Sequence, residues 1–210
     1  MARELALAGR DVVVLERSVP GAEASSAAGG ILGPHLEADH GQEFFQLARY
    51  SLGLYPEWVG ELEQETGEDL RLNPCGGMQL CFEEATVERR KDEAHSMAAR
   101  GLPAQWLDAQ ECRDLEPGLG DTLGGIYFPE EYQIEPRRLM AGLSRAARRA
   151  GARFERDRVL RVDESRLALH CESGLRRADV IVLAAGAWTA GLPGAGLQKD
   201  AITPARGQML

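Results

Sequence analysis

Two short, wholly apolar runs near the ends of the chain constrain its fold more than any other feature. They are Asp11-Val-Val-Val-Leu-Glu16 and Asp179-Val-Ile-Val-Leu-Ala-Ala-Gly186. Neither alternates apolar with polar residues. An unbroken β-branched run bounded by turn signals suits a strand buried on both faces, as in a parallel sheet. The first run follows a helix-favouring stretch at 2–9 that Gly9 can close, and the second meets a glycine where the chain turns. With helical patterns lying between them, the chain predicts an α/β fold. Its 210 residues allow one large domain or two small ones. A hydrophobic content of 44% against 27% charged residues excludes wholesale disorder.

Between the two runs the chain changes character several times. Residues 17–33 are rich in Ser, Ala and Gly, too Gly-rich for a comfortable helix interior and too apolar for a solvated linker. From Gln42 to Thr66, Phe44, Leu47, Ala48, Ser51, Tyr55, Trp58 and Leu62 recur at helical spacing, which predicts a long helix packed by its aromatic face. A strand at 76–82, a charged helix at 84–99, a short helix at 108–116 and strands at 124–128 and 132–134 suggest a small α+β region over 69–133. Pro136 is suited to open a helix that Gly151 closes. Short β-like runs follow at 152–163 and 166–172, and the segment from Ile202 to Leu210 has strand character.

Charge and composition narrow the partners. Lys plus Arg total 24 against 33 Asp plus Glu, a net charge of −9, so the basic footprint of a nucleic-acid binder is absent overall. Arg137, Arg138, Arg145, Arg148, Arg149 and Arg153 spread along one predicted helix and read as a solvated face. No apolar run approaches the roughly 18–20 residues needed to span a bilayer, and the first residues lack a secretory layout, so a cytoplasmic setting is expected. Cys75, Cys81, Cys112 and Cys171 show no paired spacing and read as buried or half-buried thiols. His35, Glu37 and His40 lack further ligands at helical spacing, so no metal site is expected.

Three stretches carry candidate chemistry. Helix, glycine, buried strand and terminal acid describe the second half of a dinucleotide-binding unit. Glu16 then stands where a carboxylate accepts hydrogen bonds from the ribose hydroxyls. Acidic residues also end many surface strands, so Glu16 alone decides nothing. The G-x-G-x-x-G turn that would let backbone N–H groups approach a pyrophosphate is not found ahead of this helix. Ala24-Ser-Ser-Ala-Ala-Gly-Gly-Ile31 has side chains small enough for close approach to a flat ligand, or for tight packing. Val182-Leu-Ala-Ala-Gly-Ala-Trp188 is a strand-to-turn passage compatible with any α/β core.

Taken in order, these stretches resemble the FAD-dependent amino-acid oxidases of the D-amino acid oxidase and sarcosine oxidase superfamily. The resemblance is strongest toward its glycine oxidase branch of thiamine biosynthesis. It is carried by the segment from Ala2 to Glu16, by Ser25-Ser-Ala-Ala-Gly-Gly-Ile-Leu-Gly-Pro-His35 and Asn73-Pro-Cys-Gly-Gly-Met78, and by Leu115-Glu-Pro117 and Glu135-Pro136. Leu183-Ala-Ala-Gly-Ala-Trp188 and Pro204-Ala-Arg-Gly-Gln208 complete it.

The resemblance implies a partial FAD-binding Rossmann-like domain, 1–68 with 134–200, interleaved with an α+β substrate domain, 69–133 with 201–210. The family's first βα glycine turn and its C-terminal third are expected to be absent, and FAD binding by the chain as it stands is expected to be poor. Glu16 and Arg17 would hold the ribose and its surroundings. Ala24, Ser25, Gly29, Gly30 and Ile31 would line the cofactor near its pyrophosphate and flavin. Val159 would meet the adenine through its backbone, and Gly186 and Trp188 would lie close to the cofactor. The implied reaction is oxidative deamination of glycine or a small D-amino acid, with hydride passing to the flavin and O2 reduced to H2O2. The alternatives are another amine-oxidising flavoprotein, sarcosine oxidase-like or an amino-acid dehydrogenase, or a catalytically inactive fragment. The resemblance supplies no catalytic residue, and Arg206 reads as structural. Oligomerisation is left open.

Overall fold

The structure is a computed structural model that describes residues 1–36, 41–198, 200–205 and 207. In chain order the first half comprises α1 (Ala2–Leu7), β1 (Val13–Glu16), α2 (Ala24–Ala27), β2 (Ile31–Leu32), α3 (Gln42–Thr66), β3 (Gly77–Cys81) and α4 (Glu84–Ala99). The second half comprises β4 (Gln105–Asp108), α5 (Ala109–Leu115), β5 (Gly124–Phe128), β6 (Tyr132–Gln133), α6 (Pro136–Arg149), β7 (Arg153–Arg156), β8 (Val159–Asp163), β9 (Ala168–Cys171) and β10 (Gly174–Arg177). A 3-10 turn spans Gly186–Trp188. The chain divides into two compact units, 1–27 with 143–210 and 28–142.

In the first unit β1 and β7 pair in parallel, with Val13 opposite Arg153 and Glu16 opposite Arg156. Behind them Ala6, Ala147 and Ala152 form a buried cluster, joined by Ala2, Val12, Ala150 and Phe154. Alanine at the contact lets α1 approach the last turns of α6 closely. Strands β8, β9 and β10 form an antiparallel sheet in the order β10-β9-β8. Its third strand, β10, lies beyond the β-like runs read from the sequence.

Three expectations fail in this unit. Within 11–16, Val13–Glu16 do form a strand, but β1 is half-buried at best, because among the described residues it has β7 on one side and no ladder on the other. The run from Asp179 to Gly186 forms no strand at all, and Val180 is 76% exposed and Val182 53% exposed. A β-branched run becomes a buried strand only when neighbours satisfy its backbone groups. No described strand pairs with this one. Residues 201–205 form no strand either, and Arg206 and 208–210 lie outside the described residues.

In the second unit α3 runs 25 residues and buries Leu52, Val59, Leu62 and Thr66. The aromatic face expected to pack does not lead the packing: Phe44 and Leu47 are exposed, and Tyr55 and Trp58 are half-buried. The aliphatic stripe beside it makes the core. Pro56 removes one internal N–H, yet the helix continues, which packing makes tolerable. Gly67 ends it in the left-handed conformation, donating to the Glu63 carbonyl.

Strands β3, β5 and β4 form an antiparallel sheet with β5 at its centre. Against it packs a core of Ala94, Ala104, Ile126 and Phe128, with Leu36, Met97 and Trp106 at its edge. Helix α5 starts at a capping box in which Asp108 and Glu111 satisfy each other's backbone N–H. The short pair β2–β6 sets Ile31 opposite Gln133 and Leu32 opposite Tyr132. The described cysteines are free; Cys75 is exposed, contrary to expectation, and the other three are buried. No described helix is long and apolar enough to cross a membrane.

Candidate functional site

In the first unit the carboxyl end of β1 gathers three of the residues read from the sequence. Glu16 sits opposite Arg156, and its carbonyl accepts the Asp157 N–H at 3.0 Å, which holds the two strand ends together. One oxygen of its carboxylate, Oε1, accepts the Ser18 N–H at 2.8 Å and turns the chain out of the strand. The other oxygen has no partner among the described residues. Arg17 reaches Glu23 at 2.7 Å, and its guanidinium lies over the Trp188 ring at 4.8 Å. At an exposed site such a contact contributes about 0.5–1 kcal/mol. Trp188 is 58% exposed and ends the 3-10 turn that Gly186 opens at φ +54°.

Ala24 and Ser25 lie exposed on α2, where the neighbouring Ser26 hydroxyl donates to the Ala22 and Glu23 carbonyls. Val159 opens β8 opposite Cys171, three residues after the strand partner of Glu16. Thus Glu16, Arg17 and Trp188 share one corner of this unit, and Val159 is tied to it through β7.

Gly29, Gly30 and Ile31 belong to the second unit. The Gly29 carbonyl accepts from the Gln133 side-chain amide at 3.4 Å, and the Gly30 carbonyl accepts the Ile134 N–H at 2.9 Å. Gly30 has φ +77°, and a Cβ there would stand 1.9 Å from the Ile134 carbonyl oxygen. Only glycine fits that approach. Beyond it Ile31 turns its side chain outward, 69% exposed. The loop is therefore pinned on its β6 side and presents an apolar side chain on the other.

The same loop ends in a buried pair that the sequence reading did not find. His35 and Glu131 are almost wholly buried. Glu131 Oε1 takes the His35 N–H at 2.8 Å and contacts ring Nδ1 at 2.5 Å. The imidazole stacks on Phe128 at 5.7 Å and meets the edge of Phe45 at 5.5 Å. His35 Nε2 and Glu131 Oε2 are buried with no partner among the described residues. Glu37 and His40, the potential ligands nearest His35 in the sequence, lie outside the described residues. Among the described residues no cluster of ligating side chains could hold a metal ion.

His35 also lines a cavity of about 390 Å³ with Gln42, Phe45, Gln46, Arg49 and Arg100 among its walls. A smaller one of about 190 Å³ lies against Ile31, Leu32, Phe44 and Tyr55. Burial pushes the Tyr55 hydroxyl pKa up.

The chain belongs to the FAD dependent oxidoreductase family (DAO), whose pattern matches residues 1–210. Among its relatives it is 34% identical to glycine oxidase of Bacillus licheniformis over 197 residues, which cover 91% of this chain and 52% of that protein. It is 32% identical to the bifunctional protein ThiO/ThiG of Synechocystis over 204 residues, 95% of this chain and 28% of that protein. The crystal structure of glycine oxidase from Geobacillus kaustophilus matches with a TM-score of 0.84 at 33% identity, covering 91% of this chain and 53% of that one. The chain thus spans about half the length of the glycine oxidases it matches.

Proposed function

We propose that the protein is an FAD-dependent oxidase of glycine or small D-amino acids, converting an amine to an imine with reduction of O2 to H2O2. The observation that carries this reading is the family match over residues 1–210, supported by the similarity to glycine oxidases. FAD, when bound, accepts the hydride from the amine carbon. The work left to the chain is binding and orientation.

The residues present fit the adenosine end of that cofactor. Among the described residues Glu16 keeps one carboxylate oxygen unpartnered at a strand end, and an acceptor-only group there suits ribose hydroxyls. Arg17, already stacked on Trp188, would bring a positive charge toward the phosphates while Trp188 offers a flat apolar face. In this reading Ala24, Ser25, Gly29, Gly30 and Ile31 line the cofactor, Val159 meets the adenine through its backbone, and Gly186 permits close passage of the chain. The FAD-binding parts are then 1–68 with 134–200, the substrate-side parts 69–133 with 201–210, and the setting cytoplasmic.

A second reading, another amine-oxidising flavoprotein, either sarcosine oxidase-like or an amino-acid dehydrogenase, draws support from the likeness to iminodiacetate oxidase from Chelativorans, TM-score 0.74 at 28% identity. Peroxide release by the product of the whole reading frame, assayed with glycine and with N-methylglycine, separates the two. For the chain itself, quenching of FAD fluorescence should show weak, saturable binding that Glu16→Gln lowers at least about tenfold, the loss of one charge-assisted contact. Equal binding by the variant overturns the ribose assignment.

A further inference from the structure

We infer that Glu131 is a positioning residue. Through His35 it holds the loop from Gly30 to His35, so that Ile31, Leu32 and Pro34 stand as a preformed apolar wall for the flavin end of the cofactor. The identity of that ligand rests on the flavin reading, whereas the positioning rests on the second unit alone.

The two ends of the loop are tied differently. At its start the Gly30 carbonyl accepts the Ile134 N–H at 2.9 Å, and Ile31 and Leu32 pair with Gln133 and Tyr132. These are main-chain contacts. The far end depends on one side chain, because Glu131 Oε1 accepts the His35 N–H at 2.8 Å and also contacts ring Nδ1. A carboxyl oxygen accepts a main-chain N–H whether or not the group is ionised, so this tie needs no particular protonation state. Glu131 is itself anchored, since its carbonyl accepts the Gly76 N–H at 2.9 Å. Glycines flank its side chain: a Cβ on Gly33 would stand 3.5 Å from Oε2, and one on Gly77 3.5 Å from Cγ.

The smaller cavity lies where these ties meet. One wall is the stretch from Ile31 to Pro34, and α3 supplies the other with Phe44 and Tyr55. The His35 ring stacks on Phe128 and meets the edge of Phe45, the chain neighbour of Phe44. Glu131 thus fixes the one residue that closes the loop and touches the opposite wall's helix. A carboxyl is a costly filler for such a place. Glu131 is 1% exposed and its Oε2 has no partner among the described residues, whereas an aliphatic side chain would carry no such penalty. What the carboxyl alone supplies is an acceptor for a main-chain N–H 96 positions away. A wall fixed beforehand spares a ligand the entropy of ordering it.

The test compares Glu131→Leu, which removes the acceptor, with Glu131→Gln, which keeps one. In the flavin-free chain, amide exchange at Leu32, Gly33 and His35 should quicken at least about tenfold in Glu131→Leu, while exchange at Ile126 in β5 stays that of the parent. FAD affinity, from quenching of flavin fluorescence, should fall at least about tenfold in that variant, the worth of one hydrogen bond. ADP carries the adenosine end alone, and its affinity, from NMR shifts of Arg17 and Trp188, should not change. Glu131→Gln should restore both loop protection and FAD affinity. Ile31→Ala removes part of the wall at a side chain already 69% exposed, leaves the tie intact, and should weaken FAD but not ADP. Parent-like FAD binding by Glu131→Leu or Ile31→Ala, a loss shared equally by ADP, or a Glu131→Gln variant as weak as Glu131→Leu each overturns the inference. If the parent binds neither ligand, the flavin reading fails instead, and parent-like exchange at His35 and Gly33 in Glu131→Leu then overturns the positioning by itself.

Discussion

Strands β5 and β1 are both short and apolar, but only β5 is fully integrated. β5 has β3 on one side and β4 on the other, and four of its five residues are buried. β1 has β7 on one side alone, and none of its residues is buried. Their sequences rank them the other way, since Val13-Val-Leu-Glu16 is more β-branched than Gly124-Gly-Ile-Tyr-Phe128. The difference shows that burial belongs to the ladder and the layer, and that residue type supplies only the capacity for it. The run at 180–185 extends the lesson, because it has the residue types of a core strand and no partner among the described residues.

The sharpest way to break this comparison is to hollow out its well-packed side. Phe128 is fully buried between Ile126 and the His35 ring. Phe128→Ala should cost about 3–5 kcal/mol, the usual sum of lost transfer energy and residual cavity. Urea unfolding followed by tryptophan fluorescence measures it, since Trp106 borders the same cluster. A loss below about 1 kcal/mol would mean that this sheet is no better packed than β1.

Gly30→Ala tests the pinned loop and should rank second. The left-handed backbone costs a non-glycine residue about 1–2 kcal/mol, and the Cβ would also meet the Ile134 carbonyl. The loop must then lift from β6. Hydrogen exchange at the Ile134 amide, which donates to the Gly30 carbonyl, should quicken before exchange across β5 does.

Local rules made much of this legible in advance. The spacing from Gln42 to Thr66 and the charged stretch from Glu84 to Ala99 fall on α3 and α4, because helices answer to nearby residues. Pro136 opens α6 for the same reason. What escaped is non-local. No spacing rule connects His35 to Glu131 across 96 positions, and none told whether Val180 would find a neighbour. At the candidate cofactor corner, Glu16 was readable from its place at a strand end, whereas the stacking of Arg17 on Trp188 needed the fold.

On the first unit a pH experiment should show a smaller effect. The Ser173 hydroxyl and backbone N–H both donate to Asp157, and these bonds hold its carboxyl below the ordinary value of 3.8. A depressed carboxyl stabilises the fold above its unfolded value and loses that contribution as pH falls through the folded one. Stability should therefore decline as pH drops below 3.8, and Ser173→Ala should flatten that decline while leaving stability at neutral pH lower. An unchanged slope would place the acid sensitivity elsewhere.

The smallest expected effect carries the comparison furthest. Val182→Thr is nearly isosteric and adds a hydroxyl where the side chain is already 53% exposed, so stability should move by less than about 0.5 kcal/mol. Ile126→Thr also brings a hydroxyl onto β5 and in addition removes a methyl group, both changes buried among Ala94, Ala104 and Phe128, and should cost at least about 2 kcal/mol. Paired urea titrations of the two variants measure the contrast directly. Equal losses would mean that the run around Val182 is packed as tightly in solution as β5, and that something covers it there. The predicted inequality instead makes the 180–185 run a strand in composition only, with its core-forming residues still facing solvent.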